Sequence, residues 1–212
     1  MPKNLIMGYI VPLSILLPIG IFILNYKRAP KSLKYLFYFL VCSGVINLAA
    51  LTVIRWRMSN LPLLHLYTVV EAVFFLLYFR SIFRQTAIRN ILFGLVIIFP
   101  VICVINALFI QNIFTFNTYT RPLEAIIITL TCFLYLYKSG FNENWLGSSI
   151  NWVNMGILIY FPAATIIFIL SNHFTFVKLN REMVRSVWNL HAVLVFVMYL
   201  FWAKGFSLMR SK

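Results

Sequence analysis

The sequence predicts an all-α membrane protein, a single seven-transmembrane-helix bundle over residues 1–212. Three observations predict it. Apolar runs of about 20 residues recur along the chain, the length at which a helix crosses a bilayer. The composition is 62% hydrophobic, more apolar surface than a soluble domain of 212 residues can hide. The charged residues gather mainly in the short gaps between these runs.

Taken in order, the first run covers roughly residues 4–26 and holds Pro12 and Pro18. A basic gap follows (Lys27, Arg28, Lys31), then a second run, roughly 33–54, that stops at Arg55 and Arg57. The third, 61–80, is followed by Arg80, Arg84 and Arg89. The fourth, roughly 90–111, holds Pro100, and the fifth, roughly 121–138, opens on Arg121 and Pro122. The sixth, roughly 150–172, holds Pro162, and the seventh is roughly 183–204. Neighbouring helices can re-satisfy a carbonyl freed by proline, so these prolines are expected to kink their helices rather than break them.

The gaps set an orientation, N-terminus outside and C-terminus inside. Lys3, Arg55, Arg57, Arg121, Lys178, Arg181 and Arg185 then fall at outer ends, and the other 11 of the 18 basic residues at inner ends. That is the expected cytoplasmic excess of Lys and Arg. The odd-numbered runs also end alike, each in an aromatic residue near a cation: Tyr26 and Lys27, Phe79 and Arg80, Tyr137 and Lys138, Trp202 and Lys204. An internal repeat with a period of about 60 residues is visible. Gly94–Pro100 resembles Gly156–Pro162, Gln111–Phe116 resembles Ser171–Phe176, and Glu71-Ala72 is echoed by Glu124-Ala125. One leading helix followed by three repeated hairpins accounts for the pattern.

Composition also excludes function classes. The net charge of +14 reads as the positive-inside rule and attraction to anionic headgroups at the inner face of the lipid bilayer, not as a nucleic-acid footprint. Cys42, Cys103 and Cys132 all lie inside apolar runs, so they form no disulfide framework or metal-ligand spacing. The N-terminus has no cleavable-signal pattern. There is no HExxH, GxSxG or P-loop, and no Asp for a catalytic dyad. Lys204, at an inner end, is poorly placed for a mid-membrane Schiff base, and the sequence names no cofactor.

What remains is a polar constellation, nearly all of it in the outer half of the bundle. Glu71 sits near the middle of the third run, where an ionised carboxylate costs about 2.5–3.5 kcal/mol on insertion scales and needs a partner. Tyr67, Thr68 and Glu71 share a helical face, with His65 nearer the interface. Arg121 and Glu124 open the fifth run at a spacing that allows them to pair. Asn47 and Asn106 lie late in the second and fourth runs, Asn172 closes the sixth, and Asn189 and His191 lie in the first half of the seventh. Such grouping predicts an outward-opening polar pocket centred on Glu71. The bland alternatives are a single carboxyl bonded to a neighbouring helix, interfacial anchoring for His65, and interhelical glue for the asparagines.

Four stretches carry a resemblance: HLYTVVEAVFFLLYFR from His65, TRPLEAIIITLTCFLYLYK from Thr120, ILIYFPAATIIFILSN from Ile157 and WNLHAVLVFVMYLFW from Trp188. Together they resemble a largely uncharacterised family of small bacterial seven-span membrane proteins, often encoded beside sensor histidine kinases. The resemblance implies a bacterial inner-membrane location, a signalling or accessory role, and a histidine kinase or similar signalling protein as partner. It places Glu71, Glu124, Asn172 and His191 at the family's polar positions. Pro162 and Ala163 stand where the family has small polar residues.

The foremost functional expectation is a sensor or receptor-like module that acts through a partner, since the loops are too short to hold an output domain. A small-solute transporter is the alternative, from the kinked helices and the repeat. A lipid hydrolase with a metal on His65, Glu71, Glu124 and His191 is a weaker one.

Overall fold

The computed structural model describes residues 11–140, 145–176 and 181–209, and within these all side chains but those of 171–176 and 181. Every regular element described is helical: α1 (Val11–Leu13), α2 (Leu16–Leu24), α3 (Lys31–Arg55), α4 (Leu61–Ile82), α5 (Thr86–Ile105), α6 (Thr120–Ser139), α7 (Ser149–Phe176) and α8 (Arg181–Ser207). Six of them, α3 to α8, are long and apolar enough to cross a membrane, and Val11–Leu24 is a shorter apolar stretch. The second to seventh apolar runs thus became helices, with ends shifted by a few residues.

The first run differs within its described part. A two-residue turn at Ser14 and Ile15 separates α1 from α2. The cause is Pro18, which has no N–H to bond the Ser14 carbonyl four residues back. That carbonyl accepts from Leu17 N at 3.1 Å instead, and the Ser14 hydroxyl folds back onto the Val11 carbonyl at 2.6 Å. Here proline breaks the helix rather than kinking it. Pro100 and Pro162, by contrast, lie inside continuous helices. At the end of α5 the chain widens into one π turn, Asn106–Ile110, closed by Gln111 N on the Asn106 carbonyl at 2.7 Å.

The contacts divide the chain into two compact units, one of Pro30–Thr131 and one of Met1–Ala29 with Cys132–Lys212. In the Pro30–Thr131 unit α4 packs against both α3 and α5. Leu33, Leu36 and Leu40 recur at helical spacing on the buried face of α3, and Ala72, Phe75, Leu76 and Phe79 on that of α4. Phe39 and Phe75 meet edge to face with centroids 5.2 Å apart. The outward side of α5 is apolar as well, with Ile97, Ile98, Val101, Val104 and Ile105 exposed. A helix apolar on both faces belongs in hydrocarbon rather than water. Asn47, expected to bond a neighbouring helix, is exposed.

In the other unit α8 packs along α7 and receives α2. Trp202 and Phe206 of α8 are fully buried, and Phe206 meets Phe22 of α2 edge to face at 4.9 Å. Two glycines set the α7–α8 distance. A Cβ on Gly156 would lie 3.1 Å from the Met198 carbonyl oxygen, and one on Gly205 only 2.9 Å from the Ser149 carbonyl oxygen. The sequence repeat can be compared at two pairs of positions. Phe99 and Phe161, each before its proline, are both buried. Gly94 faces open space, unlike the clasped Gly156.

Candidate functional site

Within the Pro30–Thr131 unit, α4 and the start of α6 build a buried charged cluster. Arg121, the second residue of α6, donates from a single nitrogen, Nη1, to Oε2 of Glu71 and, at 2.7 Å, to Oε2 of Glu124. The two carboxylate side chains are 1% exposed and that of Arg121 is 11% exposed. Tyr67, one turn before Glu71, donates its hydroxyl to Glu71 Oε1 at 3.3 Å and lays its ring against the guanidinium at 5.1 Å. Ser43 of α3 donates to the Tyr67 hydroxyl at 3.5 Å. Ala72, Phe99 and Cys103 form an apolar floor, with Val69 and Ile127 against it. Of the four carboxylate oxygens in this cluster, Glu124 Oε1 is the buried one without a hydrogen-bond partner among the described residues.

A cation in the first turn of a helix works against the helix dipole. Two acidic partners offset that penalty for Arg121, and Asn117 fixes where the turn begins. Asn117 Oδ1 accepts from Thr120 N at 3.1 Å, the Thr120 hydroxyl at 2.8 Å and Arg121 N at 3.3 Å. Its Nδ2 donates to Thr68 Oγ1 at 3.2 Å, and the Thr68 hydroxyl donates to the Leu64 carbonyl at 3.0 Å. Replacing Asn117 by Ala removes this cap and is expected to cost about 1–2 kcal/mol. Thermal unfolding of the purified chain in detergent would show it, and an unchanged midpoint would refute the cap.

The segment between the π turn and α6 runs alongside α4. His65 Nε2 donates to the Thr115 carbonyl at 3.1 Å, Asn117 reaches Thr68, and Arg121 reaches Glu71. The α6 cap is therefore level with Thr68, about 10 Å beyond the start of α4 at 1.5 Å per residue. Irregular backbone at that depth must be satisfied by protein. Gln111 does much of this, donating Nε2 to the Phe116 carbonyl and to Thr118 Oγ1, both at 2.7 Å. Buried Asn106 donates to Gln111 Oε1 at 3.3 Å.

Seven of the expected site residues thus lie in one unit: Tyr67, Thr68, Glu71, Arg121 and Glu124 are joined by hydrogen bonds through Asn117, while His65 and Asn106 bond the segment that leads into α6. Asn189 and His191 belong to the other unit. There His191 shares a 2.9 Å hydrogen bond with Tyr160 and is flanked by the rings of Tyr160, Phe168 and Trp188. Asn172 lies in α7 with its side chain outside the described residues. Among the described residues no three His, Cys, Asp or Glu side chains stand close enough to hold a metal ion, so the four-residue metal set of the hydrolase reading is not assembled. Sequence reasoning missed Asn117, Thr120 and Gln111. The signal for the first two was present: Asn117 and Thr120 are side chains of the capping type and stand just ahead of Arg121-Pro122, a helix start.

No protein-family model matches this chain, and neither the curated proteins nor the solved structures contain a match.

Proposed function

We propose that the chain crosses a bacterial cell membrane seven times, N-terminus outside, and serves as a sensor or receptor-like module whose ligand site is the Glu71–Arg121–Glu124 cluster. Output passes through the inner helix ends to a partner, a membrane or cytoplasmic signalling protein such as a histidine kinase. One observation carries the reading: three charged side chains are buried together halfway along an apolar helix, with one carboxylate oxygen unsatisfied. Apolar side chains of similar volume would hold the helices at least as well, so stability does not account for the cluster. The partner and orientation rest on the family resemblance and the charge bias. Purification from native membranes in mild detergent, read by mass spectrometry, tests it. A stoichiometric partner with a cytoplasmic output domain supports the reading, and recovery of the chain alone counts against it.

Transport of a small solute is a second reading, favoured by the depth at which α6 begins. Helix ends that stop part-way and point at a charged site are a transporter device. Reconstituted vesicles that show no flux of candidate solutes would remove it.

A further inference from the structure

We infer that the Glu71–Arg121–Glu124 cluster binds and releases one proton, and that this proton is the stimulus of the module. The second half rests on the sensor reading above. The first half rests on charge, burial and one unsatisfied atom. Two carboxylates and one guanidinium sum to a single negative charge when all are ionised. Both carboxylates are 1% exposed, where an uncompensated charge costs several kcal/mol.

Among the described residues of this unit, the surroundings do not supply the missing positive charge. The groups facing the cluster are Ser43 from α3, Tyr67 and Thr68 from α4, Cys103 from α5, Asn117 from the connecting segment and Thr120 from α6. None is a cation, and among the described residues Arg121 makes the ion pairs of both acids. Glu124 Oε1 is the buried carboxylate atom with no partner, and so the place where a proton is accommodated without displacing a bond. A proton taken from bulk water onto Glu124 makes the cluster neutral and weakens the hold of Glu124 on the guanidinium, which then pairs with Glu71. Release returns the proton to water and restores the bridge. Arg121 lies in the first turn of α6, so the exchange acts where Asn117 ties that turn to α4.

Infrared difference spectroscopy of the full chain in neutral phospholipid vesicles, titrated in pH and separately in Na+, tests the proposal. The chain has only 4 acidic side chains, so assignment is tractable. The expected result is one protonated-carboxyl band of a water-excluded group. It gains or loses about one proton per chain, is unmoved by Na+, and is lost in Glu124→Gln but kept in Glu182→Gln. Absence of the band in the unmodified chain at every pH where the fold survives overturns the proposal. So does a band retained in both Glu124→Gln and Glu71→Gln, or one that follows Na+ instead of pH. The unmodified chain decides the first point even if a variant does not fold. A band without any signalling partner would leave the proton site standing and remove the sensor reading, and a partner without the band would do the reverse.

Discussion

Replacing Arg121 with Met is expected to cost about 3–5 kcal/mol, the range for removing one member of a buried ion pair. The substitution roughly keeps volume and removes the only group that both carboxylates share. Glu71 and Glu124 then face each other in an apolar layer, with Tyr67 as the sole remaining donor described for Glu71. Arg121→Lys should lose less, because an ammonium keeps the charge at the single donating position while giving up the stacking on Tyr67. The decisive comparison adds Glu71→Gln and Glu124→Gln to Arg121→Met. Removing the stranded charges should recover most of the loss, measured as the unfolding midpoint in detergent. If the triple variant is as unstable as the single one, the loss came from packing and not from charge.

The second large effect is expected at Gly205. A Cβ there meets the Ser149 carbonyl oxygen at 2.9 Å, Val153 at 3.0 Å and Trp152 at 3.3 Å. The nearest obstacle is backbone of the facing helix, which cannot turn aside as a side chain can. Gly205→Val should therefore push α7 and α8 apart and cost about 3 kcal/mol, the upper end for overpacking. Gly94→Val is the control, since nothing lies within 4 Å of a Cβ at Gly94. Equal midpoints for the two variants would show that the close approach carries no energy.

The helices were legible because hydrocarbon imposes a strong and simple signal. The sequence expectation of 61–80 for the third run became Leu61–Ile82, and that of 121–138 for the fifth became Thr120–Ser139. The break at Ser14 was not legible, because the same residue type kinks one helix and interrupts another according to what can take up its freed carbonyl. At the site, the shared face of Tyr67, Thr68 and Glu71 was legible from spacing, and so was the Arg121–Glu124 pair. Their union was not. Nothing in the spacing says that α6 begins level with Thr68, and without that depth Arg121 reads as an interfacial residue bonded only to its own helix. Gln111 and Asn117 look like ordinary loop residues until the loop is seen running beside α4.

The contact of Phe22 with Phe206 has a consequence for how the protein is made. The residues are separated by nearly the whole chain, and all of Pro30–Thr131 is synthesised between them. That intervening unit holds its own contacts and can assemble as it leaves the ribosome, whereas α2 waits for its partner until the last helix is inserted. Joining two such distant segments is entropically slow. A nascent chain that stops before α8 would therefore present a finished middle and an orphaned beginning, the form that membrane quality control would be expected to meet.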